Sequence, residues 1–170
     1  MTFASPVDRR RAPYGEGERE ALDSWLDFHR ATLLTKMEGL DEEQVRRAMV
    51  ASGLSLLGLV KHLTAVEHGW FAMGFAQSGE PPLFYTKEDP DADFRIEESE
   101  STEEIVSGYL RTCERSRGIA AGGSLDETFE HPHRGSIDLR WILLHMIEET
   151  ARHNGHADMI RELIDGATGD

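Results

Sequence analysis

Cysteine is nearly absent from this sequence: Cys113 is the only one in 170 residues. A single thiol excludes an internal disulfide framework and fits a reducing compartment. Basic residues are also scarce, 18 Lys+Arg against 32 Asp+Glu, which gives a formal charge of −14. That acidic excess repels phosphate backbones and leaves no polybasic anchor, so neither a nucleic-acid partner nor a membrane surface is expected. No stretch approaches the roughly 18 uninterrupted apolar residues of a membrane span, and the N-terminal segment has no apolar core of signal-peptide length. These absences set a cytoplasmic expectation. Internal repeats, low-complexity tracts and a Gly-rich phosphate cradle are missing too.

What the chain does have is enough apolar residue, 39%, for one core, and eight histidines. Its length is ordinary for a single domain. Residues 1–15 mix Pro, Arg and Gly without periodicity and read as a loose leader, leaving 16–170 as the domain. Apolar spacing of three and four predicts a first helix from Glu16 to Met37, closed by Gly39. Asp41 and Gln44 have the spacing of a capping box over a short turn. A second helix is expected from Ser55 to Phe75, although Gly58, Gly69 and Gly74 each cost it about 1 kcal/mol relative to Ala. Tertiary packing overrides that cost, or the glycines allow close approach of another helix. Residues 77–100 form a long Pro- and Asp-rich connection of the kind that covers sites. A third helix starts at the Ser101–Glu104 capping box and stops at Gly122–Gly123; residues 122–135 read as a loop. A fourth runs from Ser136 to Ile164, with Asp138 in its first turn, Met159 and Leu163 on its apolar face and Gly166 as its stop. No segment alternates with period two, so the expected class is all-α, a four-helix bundle with long crossover loops.

The window from Leu144 to His156 carries the chemistry. His145, Glu149 and His153 recur every four residues. At about 100° per residue each step drifts only about 40°, so the three share one stripe. A carboxylate and an imidazole one turn apart can grip one divalent ion, and bundle metal sites use such pairs. On the second helix, His62 lies between Leu59 and Val66 on the inward stripe. His62, Glu149 and His153 would supply three ligands and leave a position open for water or substrate, as a catalytic zinc site does. By spacing alone His145 competes with Glu149, and His131 and His133 in a loop are further candidates. His68 is displaced from His62 by about 240° and should not share its face. His29 reads as core or interface, and Cys113 as a small buried hydrophobe. Trp70 and Phe71 are either core or a substrate wall.

Two motifs, Ser55–Leu63 with the following Glu67-His68-Gly69-Trp70-Phe71, and Leu139–His156, resemble the DinB superfamily of DinB/YfiT-like metalloenzymes. They are closest to a branch labelled mini-circle protein. The resemblance spans roughly residues 18–165. It implies an antiparallel four-helix bundle of the DinB type, a homodimer, and zinc or nickel held by one residue of helix two and two of helix four. Carried over by position, the ligands are His62, Glu149 and His153. Three histidines are the commoner family pattern, and Glu at the middle position resembles the branch that uses mycothiol. The family's His-Arg-Gly-Gln tail stands here as His153-Asn154-Gly155-His156, which leaves His156, like His145, as a neighbour of the ligands. The expected function is a low-molecular-weight-thiol-dependent transferase or isomerase, in which a thiol at the open metal position becomes a thiolate near neutral pH. The alternatives are a non-enzymatic metal-binding stress-response protein and a helical dimer whose site has decayed.

Overall fold

The computed structural model describes residues 2–15 and 17–169. The expected helix start at Glu16 lies outside the described residues. Helix α1 spans Glu18–Thr35, and residues 36–39 turn off it through Gly39 at φ 77°. Helix α2, Glu42–Arg46, opens on the capping box: Asp41 accepts from the Gln44 amide while the Gln44 side chain accepts from the Asp41 amide. Helix α3, Leu56–Glu67, is capped by the Ser55 hydroxyl, which accepts from the Gly58 amide. It passes directly into a π-helical segment, His68–Phe75. There the Ala76 amide reaches back five residues to the Phe71 carbonyl at 2.9 Å. Glycines 69 and 74 weaken the α-helical alternative, and π-helical turns concentrate at functional sites. Helix α4, Thr102–Gly122, begins with the expected capping box on Ser101 and Glu104.

The fourth long helix, α5, spans Leu139–Asp165 and ends on Gly166 in the left-handed conformation. It starts three residues later than expected because Asp138 is its cap, accepting from the Trp141 amide at 2.7 Å. The expected loop before it contains a hairpin: β1, Thr128–His131, pairs antiparallel with β2, Gly135–Asp138, in the register Phe129↔Ile137. Each strand buries one apolar residue, too few for alternation to show in sequence. Met159 and Leu163 are corrected as well: both are more than half exposed. They continue the outer stripe through Leu144, Glu148 and Arg152, while Met146, Thr150, His153, Ala157 and Ile160 face inward.

Helix α1 packs on α5, and α3 packs on α4 and α5. The core is split into two apolar clusters. One gathers Leu33, Leu34, Val45, Leu56, Leu59, Tyr109 and Ile160. The other gathers Leu26, Phe71, Phe129, Ile137, Leu139, Ile142 and Met146. In chain order, Arg30, Glu67, Thr150 and His153 fall between contributors to the two, so a polar layer crosses the bundle at mid-height. At the N-terminus, Phe3 exchanges backbone hydrogen bonds with Gly39 and Leu40 and packs, with Val7, on the first cluster. The 77–100 connection folds back onto α3. Its 3-10 turn, Ala92–Phe94, lies against that helix, and the Lys61 ammonium binds the Arg95 carbonyl and the Glu100 carboxylate, both at 2.8 Å. Among the described residues no helix is long and apolar enough to cross a membrane.

Candidate metal centre

His62 and the pair Glu149 and His153 approach one another across the α3–α5 contact. Each of the three offers a donor atom, and these atoms lie within 4.8 Å of one another. Glu149 Oε1 stands 3.3 Å from His153 Nε2 and 3.6 Å from His62 Nε2. Two donors each about 2.0–2.1 Å from one tetrahedral ion would stand about 3.3–3.4 Å apart, so this spacing suits a divalent ion. His62 Nε2 is buried with no hydrogen-bond partner among the described residues. An orphaned imidazole nitrogen facing a carboxylate and a second imidazole is the donor set that zinc and its neighbours take.

The charges in the site reinforce one another. A hydrogen bond from His153, and then the His62 imidazole 3.6 Å away, hold the Glu149 carboxyl well below the usual carboxylate range, against the opposing effect of burial. Burial pulls His62 down, but its bond to Asp93 and the nearby Glu149 charge outweigh that and leave it above the ordinary imidazole value. The carboxylate thus stays ionised at any physiological pH, as a metal ligand must.

The remaining histidines and aromatic residues singled out in the sequence fall in distinct places. His156 stands beside His153 with the two Nδ1 atoms 3.3 Å apart, on the side of the ring away from Glu149. His145 lies outside the group: its ring stacks on Trp141 at 5.0 Å and meets Trp70 edge-on at 4.9 Å. His131 ends β1 within 6.0 Å of the Trp70 ring, and His133 is exposed in the hairpin turn. His68 binds the Pro81 carbonyl at 3.0 Å, and His29 faces Asn154, whose amide donates to the His29 carbonyl at 3.0 Å. Of the two readings of Phe71, core or substrate wall, its burial fits core: the Arg30 guanidinium lies 5.9 Å from its ring centre. Adjacent helical residues point about 100° apart, so Trp70 turns outward where Phe71 turns in.

Two participants escaped sequence reasoning. Asp93 Oδ2 lies 2.9 Å from His62 Nδ1, and the Phe94 ring stacks on the His62 ring at 3.9 Å. Both belong to the 3-10 turn of the long connection. The available signal was Phe94 and Ile96, two large apolar residues in the charge-rich run 86–100, which mark the point where the connection dips into the core.

A groove of about 410 Å³ opens at His62 and runs along the π-helical segment past Gly69, Trp70 and Met73, with Tyr85 and Pro90 of the connection opposite and His131 at its end. It merges with a hollow of about 700 Å³ under the hairpin, which shares Gly69, Met73, Tyr85 and His131. Nothing lies within 4 Å of where a Gly69 side chain would begin, so that glycine keeps the groove floor open. A separate pocket of about 510 Å³, beside Arg30, Tyr109 and Cys113, contains none of the three donors.

A protein-family model described as mycothiol-S-transferase matches residues 21–166. No curated protein matches the chain. The matched span takes in most of α1, the long connection, the hairpin and all of α5, with His62, Glu149 and His153 inside it. The chain belongs to the mycothiol-S-transferase family, metal-dependent thiol transferases of the DinB/YfiT-like superfamily.

Proposed function

We propose that His62, Glu149 and His153 bind one divalent ion, zinc or nickel, and that the chain transfers mycothiol to an electrophile held in the adjoining groove. The observation that carries this reading is the orphaned His62 Nε2 converging with Glu149 and His153 beside an open groove, inside a mycothiol-S-transferase match. Bound there, the ion would supply Lewis acidity that brings a thiol's pKa toward neutrality.

The chain's own residues have three tasks. Glu149 carries the negative charge that compensates the cation and spaces the two imidazoles. Trp70, Met73 and Tyr85 offer an apolar, aromatic surface for the electrophile and exclude water from it. Gly69 leaves the room it needs. The protein does not supply the nucleophile itself. Burial and the nearby Glu67 charge push the Cys113 thiol up to about 12, which leaves it protonated and unreactive, so the sulfur comes from the cosubstrate. The same reading takes residues 16–170 as one catalytic domain with 1–15 as a leader, acting as a cytoplasmic homodimer.

The test is conjugation of mycothiol, bacillithiol and glutathione to model electrophiles by zinc-loaded protein. Zinc-dependent turnover with mycothiol is expected, and its loss in His153→Ala. Absence of turnover and of zinc-dependent thiol binding with all three thiols would overturn the reading.

A further inference from the structure

Asp93 is buried, yet the only hydrogen-bond partner of its carboxylate among the described residues is His62. Its other oxygen, Oδ1, has no partner. An ionised carboxylate costs several kcal/mol to bury and is retained where a partner compensates it. Holding the connection in place does not require it. Lys61 already ties that segment to α3 through the Arg95 carbonyl and Glu100, and Phe94 and Ile96 pack on the core. The carboxylate therefore has a narrower task, and His62 Nδ1 is the group it hydrogen-bonds.

We propose that Asp93 is a positioning residue for the metal centre. Its carboxylate accepts the Nδ1 proton of His62, which fixes the imidazole in the tautomer whose Nε2 lone pair faces Glu149 and His153. Phe94, stacked on the same ring, sets its plane. The two act as a unit: one fixes rotation about the Cβ–Cγ bond, the other fixes which nitrogen is free. A carboxylate behind a ligating histidine also raises the basicity of the donor nitrogen. The 77–100 connection is then part of the centre, its 3-10 turn acting as the backing of one ligand.

The inference rests on the metal-centre reading above, and its test separates the two. The full chain and its Asp93→Ala and Asp93→Asn variants are compared in two measurements. The first is long-range 1H–15N spectroscopy of the metal-free protein above pH 8, with His62→Ala used to assign the ring. The second is zinc affinity by chelator competition. In the wild type, His62 is expected to carry its proton on Nδ1. In Asp93→Ala the tautomers should mix, and zinc affinity should fall about 10- to 100-fold. Asp93→Asn, whose side-chain oxygen still accepts from Nδ1, should keep the tautomer and lose less affinity. A wild-type His62 protonated on Nε2 overturns the proposal, as does an Asp93→Ala protein that binds zinc as tightly as wild type. If Asp93→Ala does not fold, the wild-type spectrum and Asp93→Asn decide in the same way. If wild-type protein binds no zinc while His62 keeps the Nδ1 proton, the metal reading fails and the positioning of His62 by Asp93 stands.

Discussion

Glu67 closes both carboxylate oxygens on the Arg30 guanidinium, at 2.6 and 2.7 Å, with both side chains almost fully buried. Arg30 makes a third bond, to Asp27 at 2.9 Å. The pair joins α1 to α3 in the polar layer, one turn and a residue beyond His62 on α3. Burial would lower the arginine's pKa, but the Glu67 charge holds it well above its usual value, so the guanidinium stays charged. Removing one partner leaves the other charged and uncompensated. Arg30→Ala is expected to cost about 3–5 kcal/mol, read as a lower urea midpoint at unchanged slope. Replacing both residues with apolar ones of similar size should cost far less. Equal losses in the single and double variants would show that the cost is packing rather than charge.

The candidate metal centre makes a sharper distinction between neighbours on one helix. His145, Glu149 and His153 share a stripe, yet only the last two reach the donor cluster. His153→Ala and Glu149→Ala should therefore bring zinc below about 0.1 ion per chain after loading. His145→Ala should leave the loading unchanged. Helical circular dichroism should change little in all three, because both apolar clusters are complete without the site. Metal content by mass spectrometry, on protein purified without a histidine tag, reads the outcome. Wild-type loading in His153→Ala would move the site elsewhere.

This contrast marks the limit of what the sequence could say. His62 was legible because a lone imidazole interrupted an apolar stripe, and Glu149 with His153 because they lie one turn apart. Spacing could not choose between Glu149 and His145, which differ by only about 40° around the helix. Packing chooses: Trp70 and Trp141 take up the His145 ring. Asp93 was not legible, since it stands 31 residues from His62 in a stretch without periodicity. The hairpin escaped for a related reason, because four-residue strands with one inward residue each carry no pattern. The four long helices were legible because their apolar stripes recur over many turns and capping residues mark several of the ends.

Two glycines of the second helical stretch, both costly to an α-helix, serve opposite purposes. A Cβ on Gly58 would lie 2.4 Å from the Phe94 carbonyl, a backbone atom of the turn that bears Asp93. Gly58→Ala must push that turn outward, and about 1–3 kcal/mol of destabilisation is expected, with weaker zinc binding as Asp93 withdraws from His62. A Cβ on Gly69 meets nothing. Gly69→Ala should be neutral or stabilising by about 0.5–1 kcal/mol. Gly69→Leu should fill the groove floor and raise KM for bulky electrophiles while leaving zinc affinity unchanged. Thermal melts and zinc titrations on the three variants check the pattern. A Gly58→Ala protein with wild-type stability would show that the turn yields freely and does not brace His62.

Cys113 supplies a test at alkaline pH. Its thiol is packed against Tyr109 in the core, and burial, reinforced by the Glu67 charge, raises its pKa to about 12. In the unfolded chain the value returns to about 8.5. The folded state therefore holds the proton more tightly than the unfolded state. The associated stability is fully present below about pH 8.5 and is lost as pH rises toward 12. Other groups titrate in the same window, so the informative quantity is the stability difference between wild type and Cys113→Ala. At pH 8 the wild type should be the more stable, because the alanine leaves a cavity. By pH 11 that advantage should shrink by about 3 kcal/mol, at 1.36 kcal/mol per pH unit above 8.5. Urea midpoints at the two pH values give the comparison. A thiol reagent such as Ellman's should meanwhile find no reactive sulfur in native protein at pH 8 and one equivalent after denaturation. A stability difference that stays constant with pH, together with a thiol that reacts in the native state, would mean that Cys113 is accessible as a thiolate. It would then compete with the cosubstrate for the role of nucleophile.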